Sequence, residues 1–220
     1  MDLTDIKDKI PSQLFEVFFK RRIDALRPCQ EKAVNAGLFE GKNLVVCTPT
    51  ASGKTMIAEM ACAKNILDGK GKAVYIVPLK ALATEKYKEF KKEFPFLRVG
   101  LAIGDLDSKD NYLGRNDLII ATAEKLDSLI RHKSEWIKDI FTIIVDETHL
   151  INDPSRGPTV EILITMLRNL LPSYQLIALS ATIGNPDILA EWLEAELVLD
   201  NWRPVKLYSG TYLDGKLQFY

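Results

Sequence analysis

Short apolar runs rich in valine and isoleucine alternate with longer segments of helical periodicity, and this alternation constrains the fold more than any other feature. The runs cover 43–48, 73–77, 98–103, 117–122, 141–146 and 175–180. Because they are apolar at consecutive positions, they predict strands of a parallel sheet covered by helices on both faces. Helical periodicity spans 54–67 and 79–94, and Gly157-Pro158 opens a third helix. The chain is therefore predicted to form a three-layer α/β domain with a doubly wound, mainly parallel sheet.

The composition is that of an ordinary globular domain and gives no bulk signal for a nucleic-acid partner. Of the 220 residues, 47% are hydrophobic and 27% are charged, and the formal net charge is −1. Any basic surface must therefore be local. Cys29, Cys47 and Cys62 stand in apolar surroundings without a C-x-x-C pair, so they are predicted to be reduced core residues. With no signal peptide and no apolar run of membrane-spanning length, the sequence predicts a cytoplasmic protein.

A phosphate-binding loop of unusual composition follows the first predicted strand. The stretch TPTASGKT (48–55) fits the pattern G-x-x-x-x-G-K-[ST], except that Thr48 stands at the first glycine position. In such loops, backbone N–H groups and the helix N-terminus bind phosphate, and the lysine contacts the β and γ phosphates. The structural alternative is a strand–turn–helix corner with a surface lysine. The predicted nucleotide-contacting residues of the loop are Thr48, Pro49, Thr50, Ala51, Ser52, Gly53, Lys54 and Thr55.

The strand at 141–146 ends in an acidic pair, Asp146-Glu147, followed by Thr148 and His149. Strand ends of open α/β sheets face the crevice in which ligands bind. Asp146 is predicted to hold Mg²⁺ through water, with the Thr55 hydroxyl as a second ligand. Glu147 is predicted to orient and deprotonate the attacking water. A solvated acidic turn is the alternative, and the phosphate loop upstream makes it the weaker one. Lys54, Asp146 and Glu147 form the predicted catalytic set, with ATP and Mg²⁺ as cofactors.

Five short motifs in this order resemble a known family. They are TPTASGKT, PLKALA (78–83), TAEK (122–125), DETH (146–149) and SAT (180–182). Together they resemble the motifs of superfamily-two DEAD/DExH helicases, most closely the Ski-type branch and, within it, the archaeal DNA helicases associated with replication forks. The resemblance covers nearly the whole chain, including LRPCQEKAV and the WRPV exit. In that family the first loop position is commonly alanine or threonine, so Thr48 is a family variant.

The resemblance implies roles for further residues. Gln30 in LRPCQ matches the glutamine that contacts adenine, and a carboxamide can pair with N6 and N7 of that base; an ordinary polar residue at a helix start is the alternative. Two segments match positions that hold the nucleic-acid backbone: Pro78, Leu79, Lys80, Thr122, Ala123 and Glu124. Thr122 is equally suited to cap the helix beginning near Glu124. The residues implied to link hydrolysis to domain movement are His149, Ser180 and Thr182.

The family motor has two RecA-like lobes with ATP between them, and the resemblance covers only the first. Residues 1–200 are predicted to form this ATP-binding lobe, with an adenine-contacting segment around 12–36. Residues 201–220 are predicted to form an exit segment toward a second RecA-like lobe and further C-terminal domains. Because the second lobe supplies the arginine finger, the chain alone is expected to bind nucleotide and hydrolyse it very slowly. The whole helicase is expected to be monomeric, to move 3′ to 5′ on single-stranded DNA and to unwind forked duplexes.

Two other functions stay open at this stage. A Ski-type RNA helicase would carry the same backbone-directed motifs, since no residue indicates a contact with a 2′-hydroxyl. A nucleotide-binding scaffold without turnover is the other alternative. A scaffold of that kind would be expected to have lost a catalytic or metal-binding side chain, and the sequence retains all of them.

Overall fold

Seven parallel strands form one sheet in the part of the chain that the structure describes. The structure is a computed structural model and describes residues 1–104, 111–206 and 208–220. The strands are β1 (Leu44–Cys47), β2 (Lys72–Val77), β3 (Val99–Ala102), β4 (Leu118–Thr122), β5 (Ile140–Val145), β6 (Gln175–Ser180) and β7 (Glu196–Leu199). Their order is β3-β4-β2-β5-β6-β1-β7, and every neighbouring pair is parallel. The first six confirm the strands predicted from the sequence.

Helices connect the strands and cover both faces of the sheet. They are α1 (Ser12–Lys20), α2 (Pro28–Asn35), α3 (Lys54–Leu67), α4 (Lys80–Glu93), α5 (Ala123–Arg131), α6 (Gly157–Leu170) and α7 (Pro186–Leu193). Short 3₁₀ helices span Leu3–Lys9, Asn111–Arg115, Glu135–Asp139 and Thr148–Asn152. α3 ends at Leu67, as the helical periodicity over 54–67 predicts, and Gly69 follows it with a left-handed φ of 72°.

Two buried clusters lie on opposite faces of the sheet. The first joins Leu44 and Tyr75 of the strands to Ile57 of α3 and Phe90 of α4. The second cluster lies on the other face of the sheet. It joins Val45 and Ile143 of the strands to Leu126 of α5, Leu163 of α6 and Leu193 of α7. Consecutive strand residues alternate between the clusters, which explains why the strands are apolar at every position. The predicted three-layer α/β architecture is therefore confirmed.

The parallel arrangement places the carboxyl ends of the strands at one edge of the sheet. That edge carries the loop after β1, Pro78 after β2, Thr122 at the end of β4, Asp146 after β5 and Ser180 at the end of β6. The predicted site residues of these strand ends, which lie between Thr48 and Ser180 in the sequence, are thereby brought to one side of the domain.

The sequence did not indicate β7 or the hairpin near the end of the chain. β7 is short and pairs with β1 at the edge of the sheet. The hairpin consists of β8 (Gly210–Leu213) and β9 (Lys216–Phe219), and all residues of both strands are exposed. Asp214 and Gly215 between them have positive φ angles of 47° and 78°, as a tight hairpin turn requires. Leu207, in the predicted exit segment, lies outside the described residues.

The cysteines agree with the expectation of reduced core residues. Cys29, Cys47 and Cys62 are buried and unpaired. None of the helices in the described ranges combines the length and the apolarity that a bilayer crossing requires.

Candidate nucleotide site

The phosphate loop connects β1 to α3, and its own side chains brace it. Thr48, which replaces the first glycine, is fully buried, and its hydroxyl lies 2.7 Å from the hydroxyl of Ser52. The N–H of Thr48 donates to the carbonyl of Ser180 on β6 at 3.2 Å. A glycine would lack the first of these contacts. Thr48 therefore closes the loop with a side chain, so the loop forms without its usual first glycine.

Gly53 occupies a position of the loop where a side chain is excluded. Its φ of 103° lies in the left-handed region, which L-residues with a Cβ rarely adopt. A Cβ atom there would lie 2.5 Å from Nε2 of Gln30 and 3.0 Å from Cδ of Arg27. The loop thus needs glycine at this position for its conformation and for the close approach of α2.

Lys54 is the first residue of α3, and its ammonium group lies across the loop. Nζ donates to the carbonyl oxygens of Thr48 at 2.7 Å and Pro49 at 3.2 Å. Burial lowers the pKa of Lys54, while the nearby carboxylates of Glu147 and Asp146 act in the opposite direction. The N–H groups at the start of a helix generally lack intrahelical acceptors, and the helix dipole is positive there. A cation and N–H donors therefore converge where the phosphates of a nucleotide would bind.

Gln30, in the first turn of α2, is bonded to the phosphate loop. Its Nε2 donates to the carbonyl of Gly53 at 3.0 Å, and its Oε1 accepts from the N–H of Arg27 at 2.8 Å. Each end of the carboxamide keeps one further hydrogen-bonding position, which pairing with adenine requires. Gln30 also lines a cavity of about 590 Å³ with Ile23 and Thr55, within the size range of small-molecule sites. The structural role of Gln30 is established by these bonds, and the adenine contact stays a prediction.

Both oxygens of the Asp146 carboxylate accept hydrogen bonds. The hydroxyl of Tyr75 donates to Oδ2 at 2.8 Å, and the N–H of Glu147 donates to Oδ1 at 2.9 Å. Glu147 has a left-handed φ of 51°, a conformation that costs a non-glycine residue about 1–3 kcal/mol. Strain of this kind is concentrated at functional sites. The acidic pair is thus an ordered turn at the strand end, and its role in holding Mg²⁺ and activating water stays a prediction.

His149 lies between the acidic pair and the end of β6. Its Nδ1 lies 3.4 Å from Oε2 of Glu147, and the N–H of Ala181 donates to the same nitrogen at 3.5 Å. The backbone of Ala181, between Ser180 and Thr182, makes this contact. The Ser180 side chain is buried, whereas Thr182 is exposed and makes no hydrogen bond to another described residue.

The donor set at this edge fits the predicted Mg²⁺. Within the described ranges, no three His, Cys, Asp or Glu side chains cluster as a metal cage. Mg²⁺ usually binds one or two protein oxygens, and phosphates and water complete its octahedron. The ordered carboxylate of Asp146 and the hydroxyl of Thr55, in the first turn of α3, match that pattern.

The two segments predicted to hold nucleic acid lie beside the acidic pair. Pro78, Ala123 and Glu124 line a small cavity of about 20 Å³ together with Asp146 and Arg156. The end of β2 and the end of β4 are neighbours in the sheet, which explains this proximity.

Exposure separates the members of these segments into two groups. Leu79, Lys80 and Glu124 are exposed, whereas Thr122 and Ala123 are buried. The hydroxyl of Thr122 accepts from the N–H of Lys125 at 3.4 Å, so the predicted cap of α5 is present. Lys80 is therefore the accessible cation of the set.

Tyr75, Arg27 and Trp202 contribute contacts that the sequence did not indicate. Tyr75 lies in an apolar strand, and nothing in the strand pattern shows that its hydroxyl reaches Asp146. Nη1 of Arg27 donates to the carbonyl of Ala51 at 2.8 Å, and its guanidinium lies 5.6 Å from the Trp202 ring centroid. Both of these residues belong to motifs of the resemblance, LRPCQ and WRPV, which are the signal that could have identified them.

Comparison with known proteins agrees with this geometry. Residues 27–189 match the family described as DEAD/DEAH box helicase. The ATP-dependent DNA helicase Hel308 of Pyrococcus abyssi is 53% identical over 207 residues, which are 94% of this chain and 28% of that protein. Hel308 of Methanocaldococcus jannaschii is 52% identical over 215 residues, covering 94% of this chain and 18% of that protein. The chain thus spans less than a third of the length of these relatives.

A solved structure shows the same fold. The DUF1998 helicase MrfA bound to DNA superposes with a TM-score of 0.73 at 24% identity, covering 88% of this chain and 30% of that one. The family match spans the phosphate loop and the acidic strand end described above. The chain therefore belongs to the DEAD/DEAH box helicase family.

Proposed function

We propose that the chain is the first RecA-like, ATP-binding lobe of an ATP-dependent DNA helicase. The proposal rests on one observation: the phosphate loop and the acidic pair, which are distant in sequence, lie at the same edge of the sheet. The phosphate loop after β1 and the acidic pair after β5 both lie at the carboxyl edge of the sheet, with β6 between the two strands. Burial lowers the pKa of Lys54, and the carboxylates of Glu147 and Asp146 oppose that shift. P-loop NTPases use a phosphate loop and an acidic strand end of this kind to bind Mg·ATP and transfer its γ-phosphoryl group. The similarity to proteins named ATP-dependent DNA helicase supports the same reading.

The proposed mechanism assigns one task to each side chain. Lys54 and the loop N–H groups bind the β and γ phosphates, and Gln30 contacts adenine. Thr55 and Asp146 hold Mg²⁺, which neutralises charge on the phosphates when bound. Glu147 accepts a proton from the attacking water, and His149 lies between Glu147 and the end of β6, where its Nδ1 accepts from the N–H of Ala181. The remaining loop residues, 48–53, shape the backbone around the phosphates.

The proposed division of the chain is a lobe over 1–200 and an exit segment over 201–220. In a two-lobe motor the second lobe contributes the arginine finger, which is worth about 10³–10⁵ in rate in phosphate-loop enzymes. This chain is therefore expected to bind nucleotide and to hydrolyse it very slowly. The whole protein is expected to turn over ATP rapidly.

The proposed substrate of the whole helicase is single-stranded and forked DNA. Lys80 and the N–H groups near Pro78 and Ala123 would hold the phosphate backbone without reading sequence. We propose movement from 3′ to 5′, action at replication forks, a monomeric motor and a cytoplasmic setting.

Steady-state Mg·ATP hydrolysis tests this proposal in the 220-residue chain, without nucleic acid and with single-stranded DNA or RNA of equal length. The expected rate is negligible in all three conditions, while nucleotide binding is retained. In the full-length helicase, DNA should stimulate hydrolysis more than RNA, and Glu147→Gln should keep ATP binding and abolish turnover. Brisk hydrolysis by the short chain would contradict the two-lobe account, and stronger stimulation by RNA would support a Ski-type RNA helicase.

A further inference from the structure

Tyr75 is a buried hydroxyl-bearing side chain in the middle of the sheet, and its hydroxyl reaches the nucleotide edge. Tyr75 pairs with Ile144 of β5, and Asp146 follows two residues later. At about 3.3 Å per strand residue, the Cα of Asp146 is offset from that of Tyr75 by about 7 Å along the strand direction, and the two side chains must bridge this offset. The observed distance of 2.8 Å from the hydroxyl to Oδ2 shows that they do. A valine or isoleucine, as found at the neighbouring positions, has no hydroxyl and cannot form this hydrogen bond.

Packing fixes the ring of Tyr75. The side chain is fully buried, and its ring meets Phe90 of α4 edge to face, with centroids 5.7 Å apart. Phe90 is itself buried, and its ring contacts the tilted ring of Phe94 with the centroids 5.5 Å apart. A tyrosine held in this way loses little conformational freedom when its hydroxyl forms a hydrogen bond. Burial and the adjacent Asp146 raise the pKa of Tyr75, so the hydroxyl stays a donor.

Together the two hydrogen bonds fix the orientation of the Asp146 carboxylate. The Glu147 N–H holds Oδ1, and Tyr75 holds Oδ2. The backbone donor is supplied by any residue except proline at 147, whereas the second donor depends on a tyrosine at 75. Groups that orient a metal-holding carboxylate in this way typically change metal affinity by 10–100-fold when removed.

We propose that Tyr75 is a positioning residue that orients the Asp146 carboxylate for Mg²⁺ bound with nucleotide. The inference rests on the proposed function, because it assumes that Asp146 holds Mg²⁺. It adds a residue that lies outside the phosphate loop and the acidic motif. Tyr75 acts through Asp146 and touches neither nucleotide nor water itself.

The test is the Mg²⁺ dependence of nucleotide binding. A fluorescent ADP analogue is titrated with the 220-residue chain in EDTA and at increasing Mg²⁺ concentrations. Tyr75→Phe keeps the ring on Phe90 and removes only the hydroxyl. Tyr174→Phe is the matched control, because it removes a hydroxyl that accepts from Arg168 far from the site. Tyr75→Met is a second variant without the hydroxyl. A change in Mg²⁺ dependence that both variants share is caused by the loss of the hydroxyl and not by the phenylalanine ring.

We expect the Mg²⁺ concentration for half-maximal binding to rise about 10-fold in Tyr75→Phe and in the same direction in Tyr75→Met. Binding in EDTA should match the parent chain, because a purely structural defect would weaken binding in both conditions. Tyr174→Phe should behave as the parent. In an Asp146→Asn background, Tyr75→Phe should have no further effect on the Mg²⁺ dependence.

Two results would overturn the inference in distinguishable ways. Parent-like Mg²⁺ dependence in Tyr75→Phe would overturn the positioning role alone and leave the proposed function intact. A parent chain that binds the ADP analogue neither with nor without Mg²⁺ would overturn the proposed function and this inference with it.

Discussion

The proposed nucleotide side and the proposed nucleic-acid side of the same sheet edge are built in opposite ways. Around the phosphate loop, side chains from separate segments bond to the loop backbone, as Gln30 does to Gly53 and Arg27 to Ala51. On the other side, the exposed side chains of Lys80 and Glu124 form no hydrogen bond or ion pair with another described residue. One half of the edge is held in shape by the lobe itself, and the other presents its groups to solvent.

This difference predicts how each half responds to substitution. A cross-linked site is preorganised, so the loss of one contact misplaces several others and the effects are not additive. Exposed contacts to a nucleic-acid backbone act nearly independently, and salt weakens them. Substitutions on the nucleotide side should therefore have large effects on nucleotide affinity, and substitutions on the nucleic-acid side should have small effects that depend on salt.

Gly53→Ala should have the largest effect. It adds a Cβ atom 2.5 Å from Nε2 of Gln30 at a residue with a left-handed φ. We expect nucleotide affinity to fall about 100-fold, since backbone strain alone costs about 1–3 kcal/mol and the collision separates Gln30 from the loop. Isothermal titration with ADP and Mg²⁺ measures the affinity.

Gly41→Ala is the matched control for this variant. Gly41 has a left-handed φ of 84°, but an added Cβ would meet no atom within 4 Å. It should lower the stability toward urea by about 1 kcal/mol and leave nucleotide affinity unchanged. Equal affinities in Gly53→Ala and Gly41→Ala would contradict the preorganised loop.

Arg27→Ala should have an intermediate effect. It removes the bond from the guanidinium to the carbonyl of Ala51 and the stacking on Trp202. Because Arg27 is exposed, we expect a loss of about fivefold in nucleotide affinity. Tryptophan emission should also change as Trp202 loses its partner. Arg131→Ala, which breaks an ion pair with Asp127 on α5, should change neither quantity.

Lys80→Ala should have the smallest effect and a different signature. We expect about threefold weaker binding to single-stranded DNA and a salt slope reduced by about one, because one phosphate contact is lost. Nucleotide affinity should not change. Lys88→Ala removes an exposed lysine elsewhere on α4 and should leave DNA binding as in the parent. Fluorescence anisotropy at several salt concentrations separates the two variants, and an equal loss in both would indicate a diffuse electrostatic surface instead of a contact at Lys80.

The strand pattern of the sequence was sufficient to predict the sheet, because short runs of consecutive apolar residues between helices indicate parallel strands that are covered on both faces. It did not predict β7, whose four residues carry little apolar signal and pair only at the sheet edge. The hairpin β8–β9 was missed because its strands are wholly exposed, although Asp214-Gly215 is a recognisable turn signal.

The sequence motifs predicted that the phosphate loop, Asp146 and Glu147 lie at the carboxyl edge of the sheet. In the structure all three lie at that edge. The sequence could not show how the side chains are connected, since such contacts join residues from different elements. The hydroxyl of Tyr75 on Asp146 spans 71 positions of sequence. Likewise, the partner of His149 is the backbone N–H of Ala181, and a motif of side chains does not specify a backbone donor.

Titration of the chain with Mg·ATP, in the parent and in Lys54→Ala, decides whether this edge of the sheet binds nucleotide. Lys64→Ala is the control, because Lys64 lies in the last turn of α3 and pairs with Asp68. We expect saturable binding of Mg·ATP by the parent and by Lys64→Ala. The affinity of Lys54→Ala for Mg·ATP should be about 30-fold lower, since a charged donor to the phosphates is lost. Equal binding by the parent and Lys54→Ala, or no binding by the parent, would contradict a nucleotide site at this edge of the sheet.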